Sequence, residues 1–172
     1  MVLQKRKVAI SGEWMNIVCF HNPDEENGVF SNWYLSRFTL DGRVFSSVEQ
    51  YMMYSKAVLF GDMKTARKIL SSDDPARIKA YGRLVSPYDD RKWSSVRESV
   101  VYEGLRAKFS QNPDNAALLL STGDSILAEC AVRDRIWGIG LSIDDPARFD
   151  RTQWRGRNLL GYTLMRVRDT LS

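Results

Sequence analysis

Histidine and cysteine are nearly missing from this chain: His21 is the only histidine and Cys19 and Cys130 the only cysteines in 172 residues. Chemistry that needs two or more histidines, or three or more cysteines, is thereby excluded, clustered zinc sites included. The two cysteines can form at most one bridge. With no secretory signal they read as free thiols in a reducing compartment. Lys5-Arg6-Lys7 has the charge of a signal n-region, but Ala9-Ile10-Ser11-Gly12-Glu13 is no apolar stretch to follow it. Long hydrophobic runs are absent too. The longest clean one, Ala116 to Leu120, falls far short of the roughly 20 residues of a membrane span. A soluble, cytoplasmic protein with no membrane partner is expected. There is no glycine-rich phosphate fingerprint of Rossmann or P-loop spacing. Ser-His-Asp catalysis would have to run through His21, which lies in a loop among Asn22, Pro23 and Asp24 and reads as a solvated surface residue. Acid–base work is left to carboxylates.

What is present is ordinary for a globular domain: 44% apolar and 27% charged residues. A chain of this length buries roughly 70% of its unfolded surface. No repeat or linker divides it, so residues 1–172 are read as a single domain with 1–16 as an N-terminal extension. Five tryptophans are an excess. The net charge of +4 is mild and suits an anionic ligand such as a phosphorylated nucleoside without demanding a polynucleotide. Arginines 148, 151, 155, 157, 166 and 168 stand against one acid, Asp150, as a solvated basic face or an anion site.

Ile17 to Phe20 reads as a buried strand and His21 to Gly28 as a loop. Phe38 to Leu40 and Val44-Phe45 flank Asp41-Gly42, a hairpin signal, because the tight turn needs the positive φ those residues tolerate. Ser46-Ser47-Val48-Glu49 fits a capping box with Glu49 at its acidic position. Val48, Tyr51, Met52, Ser55 and Leu59 form one face of the helix that follows, and Glu49, Met53 and Lys56 a second. Further helices are expected from Met63 to Leu70 behind Asp62, from Asp74-Pro75 to just before Gly82, from Ser95 to Ser110, from Asn112-Pro113 to Gly123, and from Asn158 onward. Ile126 to Ala131 and Arg135 to Ile139 read as short strands. Many helices, few short strands and no βαβ rhythm predict an α+β fold: compact, predominantly helical, a single domain. The connection from Ser142 to Arg157 is long, as functional loops often are.

Several segments taken together resemble the YbiA/NADAR family of N-glycosidases. They are Phe30-Ser31-Asn32-Trp33; Val48-Glu49-Gln50-Tyr51 with Lys56; Gly82-Arg83 followed by Trp93; Leu105-Arg106-Ala107-Lys108-Phe109; Leu127-Ala128-Glu129; Asp134 with Trp137-Gly138-Ile139-Gly140; and Gly156-Arg157-Asn158-Leu159-Leu160-Gly161 running into Leu164-Met165. Each is weak alone; their joint order and spacing, from Phe20 to the end, are specific. The resemblance implies hydrolysis of an N-glycosidic bond between a ribosyl carbon and an amine or base, without metal or organic cofactor. Bacterial members are implied to act on the phosphoribosylamino-pyrimidines of riboflavin biosynthesis, releasing ribose 5-phosphate. Others are implied to act on ADP-ribose linkages, including ADP-ribosylated guanine.

N-glycosidic cleavage passes through an oxocarbenium-like state, which a nearby carboxylate stabilises while an acid protonates the departing base. The resemblance puts Glu49 at the family's catalytic-glutamate position; by pattern alone the helix cap is the favoured reading of Glu49. Asp134 is the second functional carboxylate by resemblance and a surface ion-pair residue by position. Lys56, two turns along the Glu49 face, would bind a phosphate or adjust the Glu49 pKa, or stand as a surface lysine. Trp93 and Trp137 would stack on the base or fill a core. Asn32 would bond a ribose hydroxyl or base edge, or shape a turn. Arg83 and Gly138 join the substrate-binding set by resemblance. Gly156-Arg157-Asn158 precedes a helix whose free N–H groups would hold a phosphate, with Asn158 as plain N-cap the alternative.

Three departures from the family pattern bear on the substrate. Gln50 stands where many members have histidine, Ile139 where some have an acid after Trp-Gly, and the Ser142 to Trp154 loop is longer than in compact bacterial members. The expected partner is a small phosphorylated ribosyl substrate. ADP-ribosylated nucleic acid is the alternative, with a non-catalytic sensor of ADP-ribose or NAD as a third reading. The sequence leaves the oligomeric state open.

Overall fold

The computed structural model describes residues 6–10 and 13–171, with side chains from 16 onward. Residues 1–5 and 11–12, where Lys5 and part of the expected N-terminal extension fall, lie outside the described residues. The chain divides into two units: Asn32–Asn112 form a middle unit, and the segments before and after it form the other. Helices predominate over short strands in an α+β architecture.

The middle unit opens with the hairpin. Strands β3 (Phe38–Leu40) and β4 (Arg43–Phe45) pair antiparallel. Asp41 and Gly42 both take positive φ, 51° and 72°, the geometry that joins two strands through two residues. Helix α1 (Val48–Leu59) follows. Its N-cap is Ser47 rather than Ser46: the Ser47 hydroxyl accepts the Gln50 N–H at 3.2 Å, and Gln50 Oε1 accepts the Ser46 N–H at 2.8 Å. The cap is therefore Ser47, one residue later than the pattern suggests, with Gln50 reaching back to the N–H of Ser46 before it; neither of these two bonds uses Glu49. Helix α2 (Met63–Leu70) starts behind Asp62, whose carboxylate accepts the Thr65 N–H, as expected.

Helix α3 (Pro75–Arg83) has Asp74 as N-cap and Pro75 in its first turn. Gly82 lies inside this helix, not past its end. A Cβ there would collide with the Met53 side chain, so the residue is small because α3 packs close on α1. Helix α4 (Asp90–Gln111) begins five residues before the expected Ser95, because Asp89 caps it by accepting the Lys92 N–H at 3.0 Å. Its buried stripe, Arg97, Val101, Gly104 and Lys108, falls at i, i+4, i+7 and i+11. Gly104 admits the Tyr51 ring of α1.

In the other unit, β1 (Arg6–Ile10) runs antiparallel to β2 (Glu13–Phe20), and β2 runs parallel to β5 (Ile126–Glu129). The register sets Ile17 opposite Ile126 and Phe20 opposite Glu129. Every residue of β5 is buried: the apolar Ile126, Leu127 and Ala128, and the acidic Glu129 that ends the strand. Helix α5 (Pro113–Leu120) precedes β5, and α6 (Leu159–Leu171) packs against it. Arg168 of α6 is 7% exposed and donates to Thr122 Oγ1 and the Ser125 carbonyl. It belongs to the frame rather than to a basic face.

Arg135 to Ile139 is not a strand. Asp134 Oδ1 accepts the N–H groups of Ile136 and Trp137 at 3.0 and 2.9 Å and folds the segment into a turn. The Ser142 to Arg157 connection has its own packing. Two 3-10 turns, Pro146–Phe149 and Arg151–Gln153, place Phe149 and Trp154 against the cluster of Ile17, Ile126 and Ile139. Among the described residues no helix is long and apolar enough to cross a membrane.

Candidate active site

In the middle unit, Glu49 occupies the second position of α1 and is 2% exposed. The helix dipole favours a negative charge there. Its backbone N–H donates to the Asn32 carbonyl at 2.9 Å, so Asn32 and Glu49 are held side by side. The Asn32 side chain is itself 5% exposed, and its Oδ1 is buried without a hydrogen-bond partner. A buried acceptor left so costs roughly 1–3 kcal/mol, which a bound donor would recover.

Lys56 lies on the same face of α1. Its ammonium donates to the Gly82 carbonyl at 2.8 Å and sits 4.4 Å from the centre of the Tyr88 ring. Burial pushes the Lys56 pKa below its ordinary value, and the charges of Asp90 and Glu49 oppose that push. Glu49 and Lys56 are thus electrostatic neighbours, as their spacing predicts. The adjacent Arg83, last residue of α3, is exposed.

Trp93 is placed differently. It is 6% exposed and lines a cavity with Tyr51 and Tyr54. Those tyrosines lie roughly opposite Glu49 and Lys56 around α1, at about 100° per residue. Gln50, the departure from the family's histidine, has a structural role. It caps α1, and its Nε2 donates to the carbonyls of Ser72 (2.8 Å) and Ile69 (3.3 Å), locking α1 to α2.

In the other unit, Asp134 caps its turn through Oδ1, a role that pattern reading gave as a surface ion pair. Gly138 is required by space: a Cβ would press on the Asp134 and Glu129 carbonyls. Trp137 is half-buried and Arg157 is exposed. The start of α6 is not an open anion site. The N–H groups of Asn158, Leu159 and Leu160 donate to the carbonyls of Gly138, Ile136 and Trp137 at 3.1–3.2 Å. Nor is Asn158 a plain N-cap. With φ of 52°, its amide donates to the Leu127 carbonyl (2.8 Å) and accepts the Glu129 N–H (3.1 Å), bracketing β5.

Sequence reasoning missed Glu129 and misread His21. Glu129 is 7% exposed at the end of β5, and its Oε1 lies 3.0 Å from His21 Nδ1. The Glu129 carboxylate raises the His21 pKa against partial burial, so the lone histidine is half of an ion pair rather than a solvated loop residue. The signal available was an acid inside a fully apolar strand. Arg97 and Lys108, 8% and 0% exposed, were missed likewise; each is a cation in the apolar stripe of α4. Desolvation pushes Lys108 down to about 7.

The α+β frame carries a nearly fully buried glutamate in the first turn of a helix, with a half-buried lysine on the same face. The comparisons with known proteins place the chain in a family. The NADAR domain model matches residues 19–172, and the chain belongs to that family. It is 39% identical over 160 residues to N-glycosidase R617 of Acanthamoeba polyphaga mimivirus, covering 88% of this chain and 94% of that protein. It is 32% identical over 156 residues to N-glycosidase YbiA of Escherichia coli, covering 91% and 89%. The solution structure of E. coli YbiA superposes with a TM-score of 0.74 over 90% of this chain and 84% of that one. The chain is an N-glycosidase. A riboflavin biosynthesis protein of Vibrio vulnificus is 32% identical over 154 residues, which cover 90% of this chain and 38% of that protein.

Proposed function

We propose that the protein hydrolyses the N-glycosidic bond of phosphoribosylamino-pyrimidine intermediates of riboflavin biosynthesis, releasing ribose 5-phosphate. The observation that carries this reading is the pairing of a buried carboxylate with a buried orphan acceptor: Glu49 in the first turn of α1 beside Asn32 Oδ1. A ribose hydroxyl would donate to Asn32. The Glu49 carboxylate would stabilise the positive charge developing at the anomeric carbon and take a proton from the attacking water. Water adds to that carbon as the C–N bond breaks, and the departing nitrogen takes up a proton. The Lys56 ammonium, on the Glu49 face, is the candidate contact for the phosphate. The match to a riboflavin biosynthesis protein supports the substrate class.

The test is incubation with freshly made pyrimidine intermediates and detection of ribose 5-phosphate. Glu49→Gln should lower kcat by about 100-fold or more, the scale of losing an acid–base or electrostatic catalyst. Unchanged turnover in that variant would refute the mechanism.

A second reading keeps the chemistry and changes the substrate to ADP-ribose linked to guanine in nucleotides or nucleic acid. Arg151, Arg155, Arg157 and Arg166 are exposed and favour a polyanionic partner. Release of ADP-ribose from modified RNA or DNA, without turnover of the pyrimidines, would establish it. Ligand binding without product in either assay would make the chain a sensor.

A further inference from the structure

On the far side of α1 from Glu49 and Lys56, the middle unit holds a cavity of about 520 Å³ that the hydrolytic reading does not use. This is within the size range of small-molecule sites, about 300–1,000 Å³. Four aromatic side chains wall it: Phe45 of β4, Tyr51 and Tyr54 of α1, and Trp93 of α4. The Phe45 ring already meets Tyr51 edge-on at 5.1 Å and tilts against Tyr54 at 5.5 Å, so the walls are braced before anything enters. The β3–β4 turn brings two opposite charges to the lining, Asp41 and Arg43.

These two do not form a salt bridge with each other. Arg43 is exposed, and its guanidinium lies 5.3 Å from the centre of the Tyr54 ring, stacked rather than ion-paired, with its edge donors open to an anion. Asp41 lies on the Tyr51 side: burial raises the Tyr51 pKa, and the charge of Asp41 adds a smaller push the same way. The lining therefore offers three things in one place: flat aromatic walls, a carboxylate acceptor on one side and a guanidinium on the other. An aliphatic pocket would need none of the charges, and a simple anion site would need none of the rings.

We propose that this cavity is a second ligand site, separate from the Glu49 face, for a heteroaromatic ring with an amino group and an anionic arm: a nucleoside monophosphate. The ring stacks within the aromatic walls, its exocyclic amine donates to Asp41, and its phosphate accepts from Arg43. α1 is common to both sites, with Tyr51 and Tyr54 on one side and Glu49 and Lys56 on the other.

The experiment is calorimetric titration of the full chain with AMP, with quenching of tryptophan fluorescence as a second readout. AMP should bind, and adenosine and inorganic phosphate should each bind at least tenfold more weakly. Arg43→Ala should weaken AMP by about tenfold, the loss of one charge-assisted contact. Val58 is 42% exposed in the same lining, so Val58→Trp should fill the space without unfolding the chain and should abolish binding. Tyr54→Ala gives the same readout by removing a wall. Glu49→Gln should leave AMP affinity unchanged. No binding at millimolar AMP overturns the proposal. So does binding that survives Val58→Trp and Tyr54→Ala, or binding that Glu49→Gln abolishes. Because the readout is binding and not turnover, the result is independent of which glycoside the Glu49 side hydrolyses.

Discussion

Replacing Gln50 by alanine separates the two functions crowded into the first turn of α1. The Gln50 side chain is 3% exposed and makes three hydrogen bonds: Oε1 from the Ser46 N–H at 2.8 Å, and Nε2 to the Ser72 and Ile69 carbonyls at 2.8 and 3.3 Å. Ser46 is 6% exposed, so its N–H has little water to turn to. Ser72 is half-buried and rehydrates more easily. The buried N–H accounts for about 1–3 kcal/mol and the two carbonyl bonds for about 0.5–1 kcal/mol each, which gives about 3 kcal/mol in all. For a chain of this size that lowers Tm by about 6–12 °C. Urea unfolding at pH 7, followed by tryptophan fluorescence, measures the loss. Ser47→Ala, which removes the cap hydroxyl, should cost about 1 kcal/mol. If the cap were instead Ser46 with Glu49, Ser47→Ala would change stability by less than about 0.5 kcal/mol, the range of an uninvolved residue. That outcome would refute the assignment of the cap to Ser47.

Other perturbations test the rest of the frame. Because His21 is the only histidine, its ring protons titrate alone in an NMR spectrum. Its pKa should lie above the ordinary 6.5 and fall toward it in Glu129→Gln; a value at or below 6.5 would break the pair. A raised folded-state pKa means the pair's stabilisation is fully present below 6.5 and lost as pH rises through the raised value. His21→Gln should therefore lower Tm at pH 5.5 and leave it nearly unchanged at pH 9. Asn158→Ala removes both bonds to β5 and puts a side chain less tolerant of φ 52° in its place, so it should cost about 2–4 kcal/mol in the same urea assay. Gly82→Ala drives a methyl into Met53 and should cost about 1–3 kcal/mol, with Met53→Ala in the same chain recovering part of it.

Local signals were legible where one residue's conformation settles the matter. Asp41-Gly42 announced its hairpin because both residues tolerate positive φ, and Asp62 and Asp74-Pro75 announced their helices because a cap needs only its own side chain and the next turn. The α6 stripe of Leu160, Leu164 and Val167 was equally plain, and all three are buried. The first turn of α4 was lost because Asp89, its cap, stands beside a second acid, Asp90, and the polar run hides where the helix begins. Arg135 to Ile139 read as a strand because Ile-Trp and Ile are apolar, yet no ladder exists there for it to join. Asp134 took its N–H groups first.

At the candidate site the division is similar. The spacing of Glu49, Met53 and Lys56 fixed by itself that they share one helix face, since 3.6 residues per turn allow nothing else. Family resemblance picked out Glu49, and the NADAR match bears the family out. The sequence also determined the α+β class, and its single histidine excluded chemistry that needs two of them. Which serine caps α1 was a tertiary matter: Ser46 and Ser47 are chemically equal, and only the docking of Gln50 on the carbonyls of Ile69 and Ser72 decides between them. That Trp93 lies behind α1, that the N–H groups opening α6 are already taken, and that the lone histidine faces a glutamate more than a hundred residues away are also decisions of the fold. Each depends on partners distant in sequence, and a hydrogen bond leaves no periodicity in the chain for pattern reading to find.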